Sequence, residues 1–304
     1  MPSPTVEAII VSYNTRDILR DALASLRRYP PPEQLATLSV AVFDNASSDG
    51  SPEMVETEFP EVRLVRGDQN LGYGLANNIL ARSSSADYVM LLNSDVVLTA
   101  DVVEPLLNAL EREPAAILAS PRLVFPDGRV QYSAYALPNL RFEYAECLRG
   151  TRLGRLLSPI VDSEKFALTG WERDLTDRRV AGRRPGCIWA TCWLIRCSDV
   201  ELFGLFDESF PMYDLDVDFC KRAATAGRVL VYEPSVEVIH LGGSSSNSAA
   251  KAKLMADGRR AYYRRHHGRL VAAAYGLGLS CLGAAVRATA AVPRPSALRS
   301  GYRR

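Results

Sequence analysis

The chain has 304 residues, 47% hydrophobic and 23% charged, enough apolar material for one large domain or two small ones. Lys and Arg total 36 against 35 Asp and Glu, and this balance excludes a generic nucleic-acid binder, whose footprint is broadly basic. Cysteines at 147, 187, 192, 197, 220 and 281 include no C-x-x-C pair, which excludes a zinc knuckle or redox motif; Cys192 and Cys197, in an apolar stretch, read as buried thiols.

The N-terminus, Met1-Pro2-Ser3-Pro4, has no basic region ahead of an apolar one, so a cytoplasmic catalytic part is expected. Val6–Ser12 reads as a buried strand. Thr15–Arg28 follows as a helix, with Ile18, Leu19, Ala22, Leu23 and Leu26 at helical spacing and Thr15 as its cap. Leu38–Phe43 and Val62–Val65 are the next strands, Tyr73–Arg82 a helix, Tyr88–Leu92 a fourth strand and Asp101–Arg112 another helix. Strand–helix alternation with nearly continuous apolar strands predicts a mostly parallel sheet covered on both faces. Ligands of such sheets lie beyond the carboxyl ends of the strands, so functional residues belong just after each strand.

The middle is less regular. Phe125–Arg129 is a turn between two short extended pieces, and residues 139–184 form an Arg-rich excursion that either faces an acceptor or is simply solvated. Cys187–Arg196 then reads as one apolar strand, Asp214–Ala226 as a helix, and Val229–Tyr232 and Val236–Ile239 as two strands. Leu241–Ala250 is a small, polar, mobile loop and Lys251–His267 a basic helix.

Acidic and polar residues cluster where this arrangement puts a ligand. Asp44, after the second strand, can accept a hydrogen bond from a base or ribose, and the small residues up to Gly50 let the chain turn tightly. Asn70-Leu71-Gly72-Tyr73-Gly74 opens a helix carrying Asn77 and Asn78, and its glycines allow close backbone approach. Asn93-Ser94-Asp95 places a carboxylate at a strand end, suited to a hard cation that neutralises a diphosphate. Asp214, Asp216 and Asp218 crowd the start of a helix, which raises the pKa of at least one of them and suits a general base. His240, one of three histidines, sits at a strand end and is a candidate metal ligand.

In order and spacing these residues resemble the family-2 glycosyltransferases of GT-A fold, particularly their rhamnosyltransferase-like branch. The match runs over nearly all of residues 6–268, through Val11-Ser12-Tyr13-Asn14, Asp44–Ser51, Asn70–Gly74, Leu91–Asp95, Phe206-Asp207-Glu208, Met212–Cys220, Ile239-His240 and Tyr263–Gly268. The resemblance implies an inverting transfer of a sugar, rhamnose first and otherwise galactose or another hexose. The donor would be a dTDP- or UDP-sugar and the acceptor a hydroxyl of a glycan or lipid-linked saccharide. It implies that Ser12, Tyr13, Asn14, Asp44, Asn70, Gly72, Asn77, Asn93, Ser94 and Asp95 surround the nucleotide-sugar. It further implies that Asp95 and His240 hold Mg²⁺ or Mn²⁺, that Asp216 is the base, and that Asp218 and Trp189 face the acceptor. Two positions depart from the pattern: Asn93 replaces the first Asp of the Asp-x-Asp element, and Leu215 stands where an acidic residue is usual.

The expected division is a catalytic domain over 1–250, its nucleotide-sugar half about 1–120 and its acceptor half about 121–250, with a helical extension over 251–304. From Arg259 onward the chain has no acidic residue, and Leu270–Val286 is at the short edge of what spans a bilayer. Two readings of this extension stay open: peripheral contact with the inner face of the cell membrane, or packing on protein. Two other functions compete with transfer. A nucleotidyltransferase needs a Gly-rich, basic phosphate loop after the first strand, which Val11–Thr15 does not supply; a non-catalytic sugar-nucleotide-binding or scaffold protein is the reading that Leu215 sustains.

Overall fold

A computed structural model describes residues 3–140, 143, 185–210, 212–242 and 248–278. Most of the 139–184 excursion, residues 243–247 of the polar loop and the part of the apolar stretch beyond 278 lie outside the described residues.

The described residues divide into two compact units. The larger holds residues 3–137 and 185–262; the smaller holds 138–140, 143 and 263–278. In the smaller unit, the Tyr263 ring packs against His267 and Tyr275, at centroid distances of 5.6 and 5.1 Å. Among the described residues no helix is long and apolar enough to cross a membrane.

The strands of the larger unit are β1 (Thr5–Ser12), β2 (Thr37–Asp44), β3 (Arg63–Arg66), β4 (Tyr88–Asn93), β5 (Val96–Leu98), β6 (Ala116–Val124), β7 (Val130–Gln131), β8 (Ala134–Tyr135), β9 (Cys187–Ile188), β10 (Cys192–Arg196) and β11 (Val229–His240). The main sheet has the order β3-β2-β1-β4-β10-β6-β11-β5, with β7 beside β6; β8 and β9 pair separately. β1 to β4 are mutually parallel, as the continuous apolar runs predict. The sheet is nevertheless mixed, because β10 runs antiparallel between β4 and β6, and β5 runs antiparallel to β11.

The helices are α1 (Arg16–Arg28), α2 (Ser51–Glu58), α3 (Gly72–Ser83), α4 (Val103–Arg112), α5 (Cys197–Phe203), α6 (Leu215–Thr225) and α7 (Ser248–His267). α1 buries Leu19, Ala22, Leu23 and Leu26, the stripe its spacing predicts, and α4 buries Leu106, Leu107 and Leu110. Thr15 occupies the N-cap position of α1, but its hydroxyl turns to Ser12 Oγ, and the Asp49 carboxylate accepts the Arg16 N–H instead. α2 is absent from the sequence reading, because its start lies inside the polar Asp44–Ser51 run; Gly50, at φ +83°, makes the turn into it.

Two strand expectations change. Cys187–Arg196 is split at Trp189-Ala190-Thr191 into β9 and β10, which belong to different sheets. Val229–Tyr232 and Val236–Ile239 are a single strand, β11, with a register shift between Glu233 and Glu237. The polarity that suggested a break marks this irregularity, where Glu233 is nearly buried and paired to Arg112.

Ser25, a polar residue on the buried stripe of α1, ties that helix to β5. Its hydroxyl donates to Ala22 O at 2.7 Å and accepts the Leu98 N–H at 3.0 Å. Ser25→Ala leaves that buried N–H unpaired and should cost about 1–3 kcal/mol, read as a lower urea midpoint with unchanged slope.

Candidate functional site

Strand register brings the chemistry together. Ser12 pairs with Asp44 and Val11 with Asn93, so the carboxyl ends of β1, β2 and β4 are level at one edge of the sheet. At the far edge His240 pairs with Val96, which sets its ring next to Asp95. The non-glycine residues with positive φ among those described are Asn14 (52°), Ala46 (62°) and Asp214 (65°), and all three lie in the loops around this edge. Such conformations persist where surrounding contacts impose them.

Here those contacts are visible. Asn14 donates its N–H to Ser47 Oγ, and its side chain accepts the Ser48 N–H, which knits the loop after β1 to the loop after β2. Asn45 donates its backbone N–H to Ser12 O, accepts the Leu71 N–H at 2.8 Å and donates to Gly72 O at 3.3 Å. Three loops are thus fixed by one buried asparagine. Asp44 is also buried. Its Oδ2 accepts the Ser47 N–H at 2.9 Å, while its Oδ1 has no partner among the described residues. A carboxylate oxygen held out of water without a donor is costly, and a ligand N–H or O–H relieves that cost.

Other expected nucleotide-site residues divide by position. Tyr13 and Asn14 are exposed, and Ser94 lies in the partly buried turn after β4. Ser12 is fully buried against Thr15. Asn70 accepts the Gly72 N–H at 2.9 Å and so closes the turn into α3, which Gly72 enters at φ +79°. Asn77 is buried within α3, with its side chain bonded to Tyr73 O.

At the end of β4, the Tyr73 hydroxyl lies 2.9 Å from Asn93 Oδ1 and 2.7 Å from Ala190 O. Burial, then the charges of Asp216 and Asp95, push its pKa well up, so it stays a neutral hydrogen-bonding group. Asp95 Oδ2 lies 3.4 Å from His240 Nε2. The ring is fixed from behind: Gln131 Nε2 donates to His240 O at 2.6 Å, which leaves Gln131 Oε1 to accept from His240 Nδ1 at 2.7 Å. With its proton on Nδ1, a neutral ring turns the Nε2 lone pair toward Asp95. A lone pair and a carboxylate converging in this way fit a divalent cation. No set of three or more His, Cys, Asp or Glu side chains converges among the described residues, so a cation here would take its remaining ligands from substrate and water.

The three aspartates of α6 have separate partners. Asp214 pairs with Arg259 at 2.6 Å and Asp218 with Arg222 at 2.8 Å. Asp218 is completely buried, and Arg222 also holds the carbonyls of Phe203 and Leu205, so this carboxylate secures the 203–205 turn. Asp216 has no cationic partner among the described residues; it accepts the N–H groups of Val217 and Ala190. Burial, helped by the Asp214 charge, raises its pKa to about 6. Trp189, partly exposed, anchors its N–H on Ser133 O at the break between β9 and β10. Leu215 is buried, with its methyls where a Cβ on Gly74 would have to sit, 3.1 and 3.2 Å away. It therefore fills space between α6 and α3.

Gln131, Ala190 and the polar role of Tyr73 are absent from the sequence reading, and Arg259 enters it only as part of the basic tail, whereas it pairs with Asp214. Each acts on a residue far away in the chain, a pairing that no periodic or clustered signal carries.

A family model for glycosyl transferase family 2 matches residues 7–167. The N-acetylglucosaminyl-diphospho-decaprenol L-rhamnosyltransferase of Mycobacterium tuberculosis is 32% identical over 269 residues, 84% of this chain and 81% of that protein. The O-antigen biosynthesis protein RfbC of Myxococcus xanthus is 25% identical over 82% of this chain, which corresponds to 18% of that longer protein. Among solved structures, a mannosyltransferase from Pyrobaculum calidifontis in complex with GDP-Man and Mn²⁺ superposes with a TM-score of 0.59 at 17% identity, covering 96% of this chain and 77% of that one. GalNAc-T7 with UDP, GalNAc and Mn²⁺ superposes with a TM-score of 0.58 at 14% identity, covering 86% of this chain and about half, 48%, of that one. These likenesses show the GT-A fold.

The raised pKa of Asp216 has a consequence for stability. Below pH ~4 the group is protonated in both folded and unfolded chains. Between there and about 6 only the unfolded chain loses the proton, so folding is progressively penalised as pH rises. Asp216→Asn removes that penalty. Its melting temperature should exceed the wild type by about 2–4 °C at pH 7.5, and the difference should vanish near pH 4. Thermal unfolding at the two pH values checks this.

Proposed function

Because the chain belongs to glycosyl transferase family 2 and is a glycosyltransferase, we propose that it moves rhamnose, or otherwise another hexose, from a dTDP- or UDP-sugar to a hydroxyl of a lipid-linked saccharide, with inversion at the anomeric carbon. The observation that carries this reading is the pair of carboxylates facing Tyr73: Asp95, set against His240, and Asp216, set apart with a raised pKa. One suits a diphosphate-neutralising cation and the other a base. The rhamnosyltransferase relative, whose name specifies a lipid diphosphate carrying N-acetylglucosamine, supports the sugar and acceptor class.

Asp44 Oδ1 calls for a donor, and the ring N–H of uracil or thymine is one, whereas the cytosine ring nitrogen at that place carries no proton. Asp95 and His240 would hold Mg²⁺ or Mn²⁺, which when bound would neutralise the diphosphate charge and so ease its departure as a leaving group. Asp216 takes the proton of the acceptor hydroxyl as that oxygen bonds to the anomeric carbon. The bond from that carbon to the diphosphate oxygen breaks, and the nucleoside diphosphate leaves with its electron pair. Asn93 and Ala190, both clipped by Tyr73, keep the donor and base sides of the site in register. Trp189 offers an aromatic face to an acceptor sugar beside Asp216.

Leu215, which sustained a non-catalytic reading, packs on Gly74 and presents nothing to the site. A catalytic domain with a basic C-terminal extension in peripheral contact with anionic lipid suits this acceptor class; deletion of 269–304 should move the protein from the membrane to the soluble fraction.

A screen of sugar nucleotides by thermal shift, with Mn²⁺ or with EDTA, should give a cation-dependent stabilisation by a dTDP- or UDP-sugar. Asp216→Asn should keep that stabilisation and lose transfer by about 10²–10⁴-fold. Wild-type transfer by this variant would remove Asp216 as base.

A further inference from the structure

α7 reaches into the turn that carries Asp216. Gly258 lies so close to that turn that a Cβ there would sit 2.5 Å from Tyr213 O and 2.9 Å from its carbonyl carbon. That approach brings the next residue, Arg259, onto Asp214. Arg259 Nε donates to Asp214 Oδ2 at 2.6 Å and its Nη2 to Asp214 Oδ1 at 3.2 Å, a two-pronged contact with both side chains mostly out of water. Asp214 is the N-cap residue of α6, held at φ 65°, and its carbonyl accepts the Asp218 N–H. A non-glycine residue in that conformation needs an external restraint, and a bidentate guanidinium supplies one.

We propose that Arg259 is a positioning residue for the general base: it locks the Asp214 turn that aims Asp216, and it neutralises the carboxylate two residues before Asp216. The proposal rests on the reading of Asp216 as that base.

The electrostatic half follows from what surrounds Asp216. Asp214 faces it from its own turn, Tyr73 from α3, Tyr135 from β8 and Cys187 from β9. Tyr73, Tyr135 and Cys187 are buried away from water and stay neutral, because desolvation pushes each of their pKa values up. Among the described residues, the charged groups acting on the pocket are Asp214, Arg259, whose field extends to Tyr135, and Asp95, whose field reaches Tyr73. Without Arg259, the full charge of Asp214 would oppose ionisation of Asp216. Without Asp214, the opposing charge goes and the cation of Arg259 is left.

The test needs no substrate. Stabilisation by Asp216→Asn begins at the unfolded-chain pKa and levels off at the folded one, so the pH at which it levels off is the midpoint for ionisation of Asp216 in the folded chain. We would measure that midpoint in four backgrounds: wild type, Arg259→Met, Arg259→Lys and Asp214→Asn. Arg259→Met should move it up by about one pH unit, Asp214→Asn should move it down, and Arg259→Lys, which keeps the charge, should leave it near the wild-type value. The Asp214→Asn arm remains decisive if Arg259→Met does not fold. An unchanged midpoint in Asp214→Asn, or in Arg259→Met where it folds, overturns the proposal.

A second readout separates this from the functional reading. With dTDP-rhamnose as donor and a lipid diphosphate bearing N-acetylglucosamine as acceptor, the acidic limb of kcat/KM should shift in the same order as the stability midpoint. If the midpoint moves and the limb does not, Arg259 tunes Asp216 but Asp216 is not the base. If Arg259→Met lowers the rate without moving either, Arg259 is only structural and the proposal fails.

Discussion

The hydrogen-bonded register of β1 with β2 and β4 is the constraint on which the site depends. Sliding one of these strands by a residue would reverse its faces and carry Asp44 or Asn93 out of line. β1 and β4 are buried on both faces, so a slip would exchange Ile9 with Ile10 and Leu91 with Leu92 between the two packed layers and break the close packing on each side. Hydrophobic burial thus sets the positions of polar side chains that take no part in it.

Around that fixed edge, aspartates of similar intrinsic acidity meet different fates through their neighbours. Asp218 is buried with Arg222 and belongs to the scaffold. Asp214 is neutralised by Arg259. Asp95 faces an imidazole whose proton Gln131 holds on the far nitrogen. Asp216 receives only backbone N–H groups, and desolvation keeps its proton affinity near neutrality. Asp44 is left with one oxygen unanswered. In a medium of low dielectric, the partner decides the role of a carboxylate more than its identity does.

The break at Trp189-Ala190-Thr191 joins fold and chemistry. It ends the small β8–β9 sheet, starts the antiparallel strand β10 and puts Ala190 between Tyr73 and Asp216, with the carbonyl bonded to one and the N–H to the other. A continuous strand would have engaged those groups in a ladder.

The sequence by itself determined the parallel half of the sheet, the helices α1, α3, α4 and α6, and the placing of Asp44, Asn93, Asp95, Asp216 and His240 at element ends, because periodicity and strand-end position are local properties. Only the tertiary structure decided that β10 returns antiparallel, that β11 is one irregular strand, that Asn77 and Asp218 are buried, and that Leu215 packs on Gly74. It also supplied Gln131 for His240, Ala190 for Asp216 and Arg259 for Asp214. These contacts join residues up to 109 positions apart, as between Gln131 and His240, and nothing in local composition encodes which distant partner will fill a buried hydrogen bond.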